Sequence, residues 1–285
     1  MGHGTSQAPK INLLPARHGF AWLVQSLILM RTQPARLLTL ALLLQLILGL
    51  ARLPLIGIFI IIAVPALSAG FLQAFRLVAA GQRPAMATLF APLASGRRAG
   101  RLLALGALMF IVGILSMSLM LSGSESMLDA DLLARIEQGD MDAVAALDPA
   151  LISRIVVAVA VGISLSGTLS FLAIPLLWFG EQKLGLALIS GLRALLLNWR
   201  PFTVLALGLT ALLLPVAAAV AILFALAGTS GGLSFILLGL IMLIALAFQL
   251  AVFGTQFCSF RDIYGLGSEG TESGMNQTND HQLLA

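Results

Sequence analysis

Long apolar runs separated by short breaks dominate the chain. Runs at 37–51, 55–75, 102–121, 151–179, 202–227 and 233–257 hold almost no ionisable side chain. Each approaches or exceeds the about 20 residues that carry a helix across a bilayer, so the pattern predicts six transmembrane helices. The first two runs form one apolar stretch broken by Arg52-Leu53-Pro54. Proline has no amide hydrogen and disfavours helix at the residue before it, so the chain is expected to reverse there. Runs five and six are divided by Gly228-Thr229-Ser230-Gly231-Gly232, a sequence suited to a tight, flexible turn.

Two shorter patterns precede runs one and five. Each is about one amphipathic helix long and ends at a proline that opens a hairpin: Arg17-His18-Gly19-Phe20-Ala21-Trp22 onward to Pro34, and Lys183-Leu184-Gly185-Leu186 onward to Pro201. In the second, Leu184, Leu188, Leu192 and Leu195 or Leu196 share one face, with Lys183 and Arg193 off it. Tryptophans at 22 and 199 and the flanking arginines describe helices lying in the headgroup layer. Their recurrence predicts a parallel internal duplication, each half an interfacial helix plus a hairpin, joined by spans three and four.

Composition agrees with a membrane protein: 59% of the 285 residues are hydrophobic and only 10% charged. A pI of about 10.2 raises nucleic acid as a partner, but the basic residues flank apolar runs singly or in twos and threes. That distribution anchors a membrane surface and makes no phosphate track. Thirteen basic residues fall on one side of the predicted topology: Lys10, Arg17, Arg31, Arg36, Arg76, Arg83, Arg97, Arg98, Arg101, Lys183, Arg193, Arg200 and Arg261. Three, Arg52, Arg135 and Arg154, fall on the other. The positive-inside rule therefore puts both termini in the cytoplasm and the acidic loop 122–149 outside. Within that loop Leu128, Leu132 and Ile136 mark one face of a short helix, and Asp148-Pro149 reads as the cap of span four. No cleavable signal peptide is expected in residues 1–20. The predicted layout is a polar segment 1–16, a single transmembrane domain 17–265 and a disordered tail 266–285.

Candidate chemistry is sparse. His3, His18 and His281 are scattered outside the spans, Cys258 is the one cysteine, and no ionisable group sits near the centre of a span. No metal, cofactor or catalytic constellation is expected, and the protein reads as a non-enzyme. The polar groups inside the spans are neutral. Ser164, Ser166 and Ser170 of span four, with Gln249 of span six, form a candidate polar seam, whose simpler reading is close helix packing. Pro65, Pro175 and Pro215 are candidate helix breaks. Arg97, Arg98 and Arg101 form a basic cluster just inside span three, suited to anionic headgroups or to a partner. Arg261 and Asp262 sit at the cytoplasmic mouth of span six. Adjacent residues do not face one another on a helix, so Asp262 is expected to pair with an arginine of the loop 83–101, with a gate or partner contact as the sharper alternative.

Several landmarks together resemble an uncharacterised family of six-span proteobacterial inner-membrane proteins: Gly19-Phe20-Ala21-Trp22 with Pro34, Leu53-Pro54-Leu55-Ile56-Gly57, Pro65 with Ser68-Ala69-Gly70, and Ser259-Phe260-Arg261-Asp262-Ile263-Tyr264. The likeness spans about residues 15–265, and members more often carry tyrosine where this chain has Phe260. The resemblance implies a six-helix protein of the bacterial inner membrane and implies no activity. Two functions fit. One is a non-enzymatic membrane component that binds lipid or a membrane-protein partner. The other is a facilitator for a neutral or amphiphilic small molecule, which needs a wet path lined by the seam residues.

Overall fold

A computed structural model of the chain describes residues 10–122, 135, 147–229 and 234–265. Among them are eight α-helices and no strand: α1 (Arg17–Thr32), α2 (Pro34–Gly49), α3 (Pro54–Ala79), α4 (Arg97–Leu121), α5 (Pro149–Trp178), α6 (Leu184–Leu197), α7 (Trp199–Thr229) and α8 (Ser234–Tyr264). Six are long and apolar enough to cross a membrane, namely α2 to α5, α7 and α8. The protein is an all-α polytopic membrane protein. Most of the acidic loop, the helix at Leu128 to Ile136, the Ser230-Gly231-Gly232 part of the last turn and the tail 266–285 lie outside the described residues.

The breaks form where the covalent chemistry demands them. A 3-10 turn, Leu50–Arg52, ends α2, Leu53 is extended, and Pro54 opens α3. The Asp148 carboxylate accepts from the Ala150 amide at 2.7 Å with Pro149 in the first turn of α5, the cap expected there. Just past the end of α3, Gly81 takes φ +71° and, with Gln82, returns hydrogen bonds to the Val78 and Leu77 carbonyls. That left-handed residue closes the helix, and a β-carbon would strain it.

The three prolines are not helix breaks: α3, α5 and α7 run unbroken through Pro65, Pro175 and Pro215. Each removes one amide donor, which a helix tolerates when the freed carbonyl finds another partner. At Pro175 that partner is present. The carbonyl of Phe171, four residues back, accepts 2.8 Å from Gln256 Nε2 on α8.

The two short helices have unlike surroundings. Helix α1 packs between α7 and α8, burying Gly19, Trp22, Leu23 and Ser26. A β-carbon on Gly19 would run into the Pro201 carbonyl. Its outer face, Phe20, Val24, Leu27 and Ile28, is exposed and apolar. Helix α6 packs chiefly on α5 through small residues, Ala187, Ser190, Gly191 and Ala194. The expected leucine stripe is only partly inward: Leu184, Leu188 and Leu195 are half-buried against the core, while Leu192 and Leu196 are exposed. Small side chains let the backbones approach more closely than leucines would.

Packing is concentrated toward one end. Every buried residue of α8 lies from Leu246 onward, while α7 buries only Pro201 and Leu205 among its described side chains. At that closed end the segment before α1 is strapped across the bundle. Asn12 donates from its amide to the Ile263 carbonyl (2.9 Å) and from its side chain to that of Asp262 (3.2 Å). Asn198, between α6 and α7 and 1% exposed, accepts from the Leu14 amide (2.9 Å) and donates to the Asn12 and Ala194 carbonyls (both 3.2 Å). This strap crosses part of the segment expected to be merely polar.

Candidate functional site

Helices α3, α4 and α5 enclose a groove of ≈700 Å³ within their membrane-spanning lengths. Gly113, Gly162 and Gly167 leave its walls without side chains. Nothing lies within 4 Å of a β-carbon built on Gly113 or Gly167. Met109, Phe110, Ile114 and Met117 of α4 face Ala158, Val159 and Ile163 of α5, and Ile61, Val64 and Pro65 of α3 close the third side. Ile114, Val159 and Ile163 are exposed at the rim, so the groove opens sideways, toward the hydrocarbon around the spans. Its volume is in the range of about 300–1,000 Å³ typical of small-molecule sites. Pro65 leaves the Ile61 carbonyl without its helical donor, and both residues line the groove.

The seam expected from sequence does not converge. Ser166 and Ser170 line the groove, and Ser170 donates back to the Gly167 carbonyl at 3.1 Å. Ser164 is exposed, and its carbonyl accepts from Thr168 at 2.7 Å. Gln249 lies elsewhere, accepting 2.8 Å from Gln45 Nε2 of α2. These four residues do not line one path.

At the closed end, Asp262 anchors a polar cluster. Its Oδ2 accepts from Trp22 Nε1 at 3.0 Å, and its Oδ1 from Arg261 Nε and Nη2, both at 3.2 Å. Arg261 Nη2 also donates to Gln25 Oε1 at 2.8 Å, and His18 Nδ1 stands 3.8 Å from Oδ2. The expectation that Asp262 pairs with an arginine of the loop 83–101 is thus corrected. Docking of α1 brings the indole to the carboxylate, and the long Arg261 side chain curls back to its neighbour although their Cβ vectors diverge.

The loop arginines bind elsewhere. Arg98 Nη2 meets Glu181 Oε1 at 2.9 Å, with the guanidinium over the Trp178 ring at 5.3 Å. Arg101 donates to the Glu181 and Gln182 carbonyls. Both therefore fasten the start of α4 to the α5–α6 link, while Arg97 is exposed. The described residues hold no group of three His, Cys, Asp or Glu placed to bind a metal ion. Trp22, read from sequence as a headgroup-layer residue, is instead fully buried with its indole on Asp262; the partners of Trp22, Asn198 and Gln256 were missed from sequence because they are distant in the chain. Comparison with models of protein families, with curated proteins and with solved structures found no match to this chain.

Proposed function

We propose that the protein is a non-enzymatic component of a bacterial inner membrane that holds a lipid acyl chain in the groove among α3, α4 and α5, with the arginine-rich end in the cytoplasm. The observation that carries this reading is the groove itself: apolar, at bilayer depth, open to the side and kept vacant by glycines whose β-carbons would have room. An acyl chain needs apolar walls and lateral entry. A facilitator needs polar groups along a continuous path, and the scattering of Ser164, Ser166, Ser170 and Gln249 favours the lipid reading over it. The basic residues between the spans support the orientation.

The test is native mass spectrometry of protein extracted in mild detergent. Wild type is expected to retain lipid stoichiometrically, and Gly113→Leu with Gly167→Leu, which fill the groove, to lose it. Equal retention by the double variant, or none by wild type, overturns the proposal.

A further inference from the structure

A second crevice, of ≈540 Å³, lies where α1 passes into α2 and α3 ends, lined by Thr32, Gln33, Arg36, Gly81 and Arg83 among others. It differs from the groove in every chemical respect. Its position at the ends of two spans sets it at headgroup depth, and two guanidinium groups face it without a carboxylate. The described acidic residues are all engaged elsewhere: Asp148 caps α5, Glu181 meets Arg98, and Asp262 holds Trp22 and Arg261. Arg36 Nη1 donates to the Pro84 carbonyl at 3.3 Å, which ties the guanidinium to the wall and leaves its other donors free to bind. Arg83 is exposed and makes no hydrogen bond or ion pair among the described residues.

Gln33 adds a requirement of opposite polarity. Its Nε2 donates to the Gln82 carbonyl at 2.9 Å, which fixes the orientation of the amide. Its Oε1 is then a buried acceptor with no donor. That oxygen is closed to solvent, so a ligand reaches it only by a small rotation of the Gln33 side chain; one that satisfies all three groups then brings an anion for the arginines and a hydroxyl for the glutamine. Basic pockets at the cytoplasmic ends of spans recognise anionic headgroups in this way.

We propose that this crevice binds a phosphate group carrying a neighbouring hydroxyl, presented by a phosphatidylglycerol headgroup. The site is separate from the α3–α5 groove and does not rest on the reading of that groove. The test reconstitutes the full chain in vesicles of phosphatidylcholine and phosphatidylglycerol in equal parts, then reads the lipid retained by native mass spectrometry. Wild type is expected to favour phosphatidylglycerol. Arg36→Gln or Arg83→Gln weakens that preference about 5-fold and the pair about 30-fold. In a second set of vesicles with phosphatidic acid in place of phosphatidylcholine, wild type is expected to favour phosphatidylglycerol and Gln33→Leu to lose that discrimination, since phosphatidic acid lacks the glycerol hydroxyls.

Arg36→Lys with Arg83→Lys keeps the charge and restores most of the preference, and unchanged protection of Cys258 from maleimide reports intact folding. Competition by soluble glycerol 3-phosphate, lost in the arginine variants, supports the same site and identifies a soluble ligand. Equal retention of both lipids by wild type, or an unchanged preference in the double glutamine variant, overturns the proposal. The groove variants at Gly113 and Gly167 lower total retention and leave the headgroup preference intact, so the two readings fail separately.

Discussion

Removing the Asp262 carboxylate exposes how strongly α1 is held to the bundle. Trp22 is fully buried, and its indole N–H donates to Asp262 Oδ2 at 3.0 Å. In Asp262→Ala that donor is left unpaired in the core, at a cost of about 1–3 kcal/mol. The Arg261 contacts add little, since that pair is partly exposed and exposed ion pairs contribute at most about 1 kcal/mol. A loss of about 2 kcal/mol follows, centred on the α1–α8 contact. Cys258 reports it directly: it is the one cysteine, fully buried, and one turn before Asp262 on α8. Labelling with a fluorogenic maleimide requires opening of that region, so the rate is expected to rise about 30-fold in detergent. Trp22→Phe removes the donor, and in that background Asp262→Ala is expected to cost about 1 kcal/mol less than in wild type. Strict additivity of the two substitutions would refute the reasoning, because it would mean that the indole and the carboxylate are not coupled.

Gln256→Leu strands the Phe171 carbonyl and is expected to lower stability by about 1–3 kcal/mol. Pro175→Ala returns a helical donor to that carbonyl, so thermal unfolding of the double variant should show the loss largely suppressed. Gly106→Ala drives a β-carbon into the Ile62 carbonyl of α3 and is expected to cost about 1–3 kcal/mol. Gly100→Ala meets nothing within 4 Å and gains up to about 1 kcal/mol of helix propensity; comparison of the two melting points checks both. Asn198→Ala frees the strap, and limited trypsin digestion is expected to cut after Arg17 faster than in wild type, with the rest of the chain protected.

The spans, the reversal at Leu53-Pro54 and the Asp148 cap were legible because each depends on neighbouring residues: run length, a missing amide hydrogen, a carboxylate two residues from a free N–H. What was not legible depends on which side of a helix faces inward. In a soluble protein, polar residues mark the outer face, but in a bilayer both faces are apolar. Nothing in the sequence of α8 distinguishes exposed Phe235 and Ile236 from buried Leu250 and Phe257. The leucines of α6 misled in part for the same reason, since small residues form its fully buried contact while Leu184, Leu188 and Leu195 pack only partly against the core. The groove needs three helices and two unfilled glycines to exist, and Trp22 with Asp262 are 240 positions apart. Proline chemistry signalled a freed carbonyl at Phe171 but could not identify Gln256 as its donor.

The uneven packing along the bundle has a mechanical consequence. A bilayer exerts its lateral pressure on both halves of a spanning protein, but here only the arginine-rich half is braced by buried aromatics, the strap and the Asp262 cluster. Among the described residues the opposite half buries fewer side chains, Leu151 and Ala158 of α5 among them. Changes in thickness or curvature are therefore expected to act mainly on the less densely packed side, a prediction that distance measurements between spin labels on α7 and α8 in thin and thick bilayers would check. On the proposed reading of the α3–α5 groove, its width responds to the stress state of one leaflet, so the membrane as well as the walls would select the acyl chain it holds.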